Sequence, residues 1–230
     1  MFLGEMSCKL YYKKECKEQK EHHSYKFGTW KFRTLKRRSK LQNLKTEMLK
    51  NNVSVLGVIE VRWRGQSEIR FGVYIVYYSG GGRAERGKAI VVHKSLVRSA
   101  VKRIVCTDRI IGLKLRAEPV SILIMQVYMA TSEHEDDEVE KFYDATAEIL
   151  VEDGKDDTNN IIMGDWNSVV GDESYRNIVG SYGLGRRNHR SQILIDYCER
   201  NGLIVTNTWF KKPKRRLRHG IVLETGVDIS

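Results

Sequence analysis

Proline is nearly absent from this chain. Only Pro119 and Pro213 occur among its 230 residues, so no proline-rich linker divides it. Cysteine is sparse too. Cys8, Cys16, Cys106 and Cys198 are widely scattered and form no Cys-x-x-Cys pair, which argues against a zinc site or a disulfide framework. That usage fits a reducing compartment, and the expected location is nucleus or cytoplasm. No apolar run approaches the roughly 18 residues that a membrane-spanning helix needs. Met1 to Leu10 lacks the apolar core of a secretory signal, so no membrane partner is expected. Gly80 to Gly87 does not end in the Gly-Lys-Ser/Thr of a phosphate-binding loop. No internal repeat is visible.

The remaining length suffices for one large α/β domain with a substantial core. Its net charge of +11 is unevenly spread. Residues 1–50 hold 14 Lys and Arg against 5 Asp and Glu, and residues 209–230 hold 6 against 2. The stretch between them holds 20 against 22, so the basic excess sits at the two ends. Basic ends attract a polyanion by releasing its counterions, although solvated arms have the same composition.

Residues 1–25 show no clear period and read as a basic, poorly ordered leader. The adjacent His22 and His23 lie in this polar tail, where such pairs are more often bystanders than ligands. A β-like stretch starts near Tyr25. Leu41, Leu44, Met48 and Leu49 then recur at helical spacing. Val53 to Val61 is a near-continuous apolar run that carries Glu60 at its end. Val73–Tyr78, Ala89–Val92, Val101–Cys106, Ile110–Leu115 and Val120–Tyr128 are short strands, with Gly80 to Gly82 as a turn. Residues 131–158 hold 12 acidic residues, and Val139, Phe142, Tyr143, Thr146, Ile149 and Leu150 mark a helix with an acidic outer face. A nucleic acid would avoid that face. Ser191 to Asn201 is a helix, Leu203 to Asn207 a strand, and Lys211-Lys212-Pro213-Lys214-Arg215-Arg216 a basic run. A long β-rich middle flanked by helices predicts two packed sheets covered by helices.

The most informative stretch is Asn160 to Ser168. Ile161, Ile162 and Met163 read as a strand buried on both faces, Gly164 lets the backbone pass something closely, and Asp165 follows. On an extended chain Asp165 and Asn167 point one way and Trp166 the other. A carboxylate beside a packed strand is costly unless it meets a metal, a cation or hydrogen-bond donors. Glu60 and Asp165 each close a buried-looking strand, and converging carboxylates can hold Mg²⁺. The alternative is that each caps its own turn; the spacing leaves both open.

Gly28-Thr29-Trp30, Leu35, Val58-Ile59-Glu60-Val61-Arg62-Trp63, Gln126-Val127-Tyr128-Met129 and Gly164-Asp165-Trp166-Asn167-Ser168 carry a resemblance. Together they resemble the endonuclease/exonuclease/phosphatase superfamily. The closer similarity is to the apurinic-type endonuclease domain of LINE-type retrotransposons and to craniofacial development protein 2-like proteins. Gly183-Leu184-Gly185-Arg186-Arg187-Asn188 and Asn207-Thr208-Trp209-Phe210-Lys211-Lys212 add to it. The resemblance implies an α/β four-layer sandwich of two central mixed β-sheets flanked by helices. It covers a domain at 26–217, followed by a divergent tail at 218–230. It implies a Mg²⁺-dependent endonuclease acting on nucleic acid, DNA rather than RNA. Glu60 would be the metal ligand, Asp165 would orient or deprotonate the attacking water, and Asn167 and Tyr128 would reach the scissile phosphate. Tyr128 can equally be a strand-end aromatic of the core. Lys31, Asn188, Lys211, Lys212, Lys214, Arg215 and Arg216 are the candidates for nucleic-acid contact. For the run from Lys211, a nuclear-import signal and a solvated tail are equal alternatives.

The sequence departs from the family pattern in three places. Lys31 stands where the family has Asn, and an ammonium there competes with a metal. Ala130 stands where Pro is common. The family's closing Asp strand and later Asp-His pair have no clear match, Gly226-Val227-Asp228-Ile229 being only a faint one, so C-terminal strands are expected to be missing. These departures give the expectation of an endonuclease-like domain with impaired activity. The alternatives are a non-catalytic relative that binds nucleic acid or a protein partner through its basic ends, and a gene fragment without a stable fold.

Overall fold

The computed structural model describes residues 2–7, 24–32, 34–35, 37–81, 87–129, 136–155, 157–211 and 221–225. Strands β1 (Phe2–Ser7), β2 (Ser24–Lys31), β3 (Val53–Ile59), β4 (Gly65–Phe71), β5 (Tyr74–Gly80) and β6 (Lys88–His93) form one sheet in the order β1-β2-β3-β6-β5-β4. Strands β7 (Ala100–Thr107), β8 (Ile110–Leu115), β9 (Ser121–Tyr128), β10 (Thr158–Asp165), β11 (Leu203–Val205) and β12 (Ile221–Thr225) form the second, ordered β11-β12-β10-β9-β8-β7. Both sheets are mixed, with parallel pairs β2/β3 and β9/β10 and antiparallel neighbours elsewhere. Helix α1 (Arg38–Lys50), the single turn α2 (Lys94–Val97), α3 (Asp136–Asp153) and α4 (His189–Arg200) complete the fold.

The two-residue period of the strands sorts side chains into layers. Phe27, Val55, Ile90 and Val92 of the first sheet pack with Ile111, Leu113, Ile124, Ile161 and Met163 of the second, forming the core between the sheets. Val53, Leu56, Val58, Ala89 and Val91 face the other way and pack with Leu44 and Met48 of α1. Leu123, Met125, Val127 and Ile162 pack under α3 and α4. The order is therefore helix, sheet, sheet, helices, which is the expected four-layer sandwich. Each fully buried aliphatic side chain contributes roughly 1.5–3 kcal/mol relative to exposure, so these three clusters carry the stability.

The α3 stripe Val139, Phe142, Tyr143, Thr146, Ile149 and Leu150 is buried as its spacing predicts. Leu49 is a correction. It stays 47% exposed while Leu44 and Met48 are buried, because one residue further turns about 100° around the helix. Two stretches expected to lie outside the domain contribute strands. Phe2–Ser7, within the leader, pairs antiparallel with Ser24–Thr29 of β2. Ile221–Thr225, within the tail, lies between β10 and β11 and pairs with both. Ile221–Glu224 pair with β10 and Leu223–Thr225 with β11. Gly80, expected in a turn, instead ends β5.

β9 and β10 run side by side in register for their full length, from Thr158 opposite Ser121 to Asp165 opposite Tyr128. Gly164 permits the last step. Its φ is +156°, and a methyl group added there would lie 2.0 Å from the Val127 carbonyl oxygen. Gly164→Ala should therefore destabilise the fold by roughly 2–4 kcal/mol, the range of overpacked and strained sites. Urea denaturation of the purified variant measures this, and an unchanged midpoint would count against the close approach.

Candidate functional site

The face between the sheets changes character along its length. On β2 it runs Phe27, Thr29, Lys31; on β9, Ile124, Gln126, Tyr128; on β10, Ile161, Met163, Asp165. An apolar layer thus gives way to one in which Thr29 and Gln126 adjoin Met163, and then to a rim of Lys31, Tyr128 and Asp165 at the C-terminal ends of β2, β9 and β10. In the middle layer Thr29 Oγ1 donates to Gln126 Oε1 at 3.4 Å. Gly57 of β3 makes room for that amide, since a methyl there would lie 1.5 Å from Gln126 Oε1.

The outer layer is a constellation of four side chains from both sheets. Lys31 Nζ lies 3.0 Å from Asp165 Oδ2 and 3.4 Å from Glu60 Oε1. Tyr128 OH donates to Glu60 Oε1 at 3.4 Å, and Lys31 Nζ sits 5.5 Å from the Tyr128 ring centroid. Asn167 joins the group through its backbone, donating to Asp165 Oδ1 at 3.1 Å. Its side-chain amide donates to the Met129 carbonyl at 2.6 Å, and Met129 N donates to the Asp165 carbonyl at 2.9 Å. These bonds tie the end of β9 to the turn after β10.

Local strain collects here. Glu60 (φ 62°), Arg62 (φ 57°) and Asn167 (φ 46°) all hold left-handed backbone without being glycine. Such residues cost of order 1–3 kcal/mol each and persist only where their surroundings impose them. Trp166 supplies part of that imposition. It is buried on the opposite side from Asp165, with its ring centroid 5.8 Å from Phe142, 5.9 Å from Tyr143 and 6.1 Å from Tyr197. The turn that carries Asp165 and Asn167 is thereby anchored to α3 and α4.

Electrostatics bind the cluster together. Burial opposes the charge on Lys31, but the hydrogen bond and charge of Asp165, with the charges of Tyr128 and Glu60, outweigh it and hold its pKa above the ordinary lysine value. The Tyr128 phenol is also raised, by burial first and then by the Glu60 and Asp165 charges, with Lys31 acting against them. Glu60 and Asp165 offer oxygen ligands of the kind Mg²⁺ takes. As arranged they do not fit that ion, because the Lys31 ammonium already lies between them. Among the described residues no three His, Cys, Asp or Glu side chains gather around one point.

The other candidates lie apart from this constellation. Asn188 caps α4: its Oδ1 accepts from Ser191 N at 3.0 Å and from Ser191 Oγ at 2.7 Å. That is a helix-capping role, which the Asn-x-x-Ser spacing could have suggested. Lys211 is exposed at the end of a described segment. Lys212, Lys214, Arg215 and Arg216 lie outside the described residues, as do Ala130, His22, His23 and Gly82. The acidic face of α3 is partly answered by neighbouring bases, with Glu138 3.0 Å from Arg109 and Asp153 2.7 Å from Lys102.

Sequence reasoning missed Lys88. It follows the same period as Ile90 and Val92, so it points between the sheets, level with Ile59 and Ser79 on the adjacent strands. Its side chain is fully buried, and Nζ has no hydrogen-bond partner. Burial, with Asp108 opposing and Arg109 adding, lowers its pKa to about 7. The alternation in Lys88-Ala89-Ile90-Val91-Val92 was the available signal.

Comparisons with known proteins agree with this architecture. Residues 27–223 match the Endonuclease/Exonuclease/phosphatase family. Craniofacial development protein 2 of Bos taurus is 35% identical over 203 residues, covering 88% of this chain and 33% of that protein. The chain thus spans about a third of the length of the curated relatives it matches. An AP endonuclease from Archaeoglobus fulgidus superposes with a TM-score of 0.59 at 15% identity, covering 87% of this chain and 86% of that one. The endonuclease domain of TRAS1, a telomere-specific non-LTR retrotransposon, gives 0.52 at 13% identity, with 86% and 84% covered. A Neisseria 3' phosphatase bound to a product DNA hairpin gives 0.57 at 15%, with 86% and 85% covered. At these identities the structures establish the fold.

Lys88 yields a pH prediction. Unfolded, its amine binds a proton up to about pH 10.4; folded, only up to about 7. Between those values the unfolded chain holds more protons, so stability rises with pH across this window, and the full penalty applies below it. Lys88→Met should stabilise the protein most near pH 6–7, with the gain shrinking toward pH 10. Thermal denaturation of both proteins across that range tests this; a pH-independent difference would mean that Lys88 does not titrate there.

Proposed function

Because this chain belongs to the endonuclease/exonuclease/phosphatase family, we propose that it is an endonuclease-like domain of the LINE retrotransposon type, directed at DNA phosphodiesters, whose hydrolytic activity is impaired. The observation that carries this reading is the convergence of Glu60, Tyr128, Asp165 and Asn167 at one end of the two sheets. Phosphodiester hydrolysis needs an oriented water and donors for the charge that gathers on phosphoryl oxygens. Asp165 suits the first task, with a carboxylate held by Asn167 N and Lys31 Nζ. Tyr128 suits the second once its one O–H turns from Glu60 to the phosphate, and the Asn167 amide has one N–H beyond the bond it gives to Met129 O. The DNA-acting proteins among the structural neighbours support DNA as the substrate class.

Impairment rests on Lys31. Both carboxylates spend acceptor capacity on its ammonium, and a family member of this kind is expected to use a divalent metal at that place, Mg²⁺ above all. A non-catalytic relative that binds nucleic acid or a protein partner through its basic ends is the second reading, and the same ion pair favours it. Loss of one preorganised donor or cation at such a site costs on the order of 10²–10³ in rate.

Nicking of supercoiled DNA in Mg²⁺ should accordingly stay near background, with Glu60→Ala and Asp165→Asn indistinguishable from the parent. Robust nicking that vanishes in Asp165→Asn would overturn the impairment. Replacing Lys214, Arg215 and Arg216 together with Ala should weaken DNA binding at low salt. The salt dependence should flatten by roughly one unit of slope for each phosphate that is no longer neutralised. An unchanged slope would remove the basic run from the binding surface.

A further inference from the structure

The geometry points to Lys31 as a built-in competitor for divalent cations: its ammonium occupies the place between Glu60 and Asp165 where a metal would bind, and so suppresses metal affinity. This deepens the reading above, on which it rests for the identity of the two carboxylates as a former metal site. Three observations carry it. The ammonium is within ion-pair distance of both carboxylates, 3.4 Å from Glu60 and 3.0 Å from Asp165. It arrives there by backbone design, since Lys31 ends β2 on the face between the sheets, two residues after Thr29 and four after Phe27. Its side chain is only 35% exposed and is backed by the Tyr128 ring, so it cannot swing away without giving up two ion pairs and a cation–π contact.

A divalent ion entering this site meets a unit positive charge at contact distance. It must either expel the ammonium or bind beside it. Like charges at such separations repel strongly even when the medium is fairly polar. A neutral amide of similar reach at position 31 would remove the repulsion and leave both carboxylates free to take the metal. An arginine would keep it.

The test is calorimetric titration of Mg²⁺ and Mn²⁺ into the full chain and into Lys31→Asn, Lys31→Met and Lys31→Arg, with circular dichroism to confirm folding. Lys31→Asn and Lys31→Met should bind the metals at least about tenfold more tightly than the parent, whereas Lys31→Arg should not. Adding Glu60→Ala to Lys31→Asn should abolish the gain. Parent affinity equal to that of the folded neutral variants would overturn the inference, as would a gain that survives Glu60→Ala. DNA binding and nicking, measured on the same proteins, separate this from the functional reading. A metal gain without any DNA binding sustains the role of Lys31 and sinks the phosphodiesterase reading. Asp165-dependent nicking by the parent, without a metal gain in the variants, sinks the role of Lys31 and the impairment while sustaining the phosphodiesterase reading.

Discussion

A carboxylate beside a packed β-sandwich needs a metal, a cation or hydrogen-bond donors, and here one ammonium answers two. Lys31 comes from the first sheet and Asp165 from the second, so their 3.0 Å contact also bridges the two halves of the fold at its open end. Beneath it lies the Thr29–Gln126 pair, and only below that does the interface between the sheets become apolar. The surrounding features serve this contact. The left-handed backbone at Glu60 turns its side chain back toward Lys31, the Tyr128 hydroxyl shares the Glu60 oxygen, and the turn at Asn167 locks one Asp165 oxygen. The same arrangement holds the site together and keeps its acceptors occupied.

Much of the fold was legible because burial imposes period. The α3 stripe, the run into β3 and the strand ending in Asp165 all face a core on at least one side, and their apolar residues repeat accordingly. β4 was not legible. Gly65 to Arg70 are all exposed, so this edge strand has no buried face to write a pattern into the sequence. β1 and β12 were hidden for a different reason: each is short and stands next to a long polar or basic stretch that dominates its composition. Among the site residues, Asp165 and Glu60 announced themselves by ending apolar runs. The partners of Lys31 could not be read, because a contact spanning 134 residues leaves no local trace. The capping role of Asn188 was not read, because an asparagine suited to a phosphate is equally suited to a helix N-terminus.

Membership of the family and the chemistry of this chain are separate questions. Structures at 13–15% identity share the sandwich, including an AP endonuclease and a 3' phosphatase. One scaffold therefore supports several outcomes, decided by a few side chains at the strand ends. In this chain a single position on β2 has the leverage to shift the balance, since it reaches both carboxylates. The buried Lys88 lies two strands away on β6 of the same sheet, and burial lowers its pKa to about 7. The first sheet thus contributes Lys31 and Glu60 to the rim, and the second contributes Tyr128 and the Asp165 turn.

The register between β9 and β10 sets a counting rule on the gene. Tyr128 and Asp165 face each other only because the two strands stay in step over eight consecutive pairs. Substitutions in Ile122, Ile124 or Ile161 alter packing by degrees. Inserting or deleting one codon within either strand acts differently, since it swaps parity and sends the polar residues of the rim into the hydrophobic layer under α3 and α4. These two segments should drift in composition yet keep their length, while the connections around them are free to vary in both.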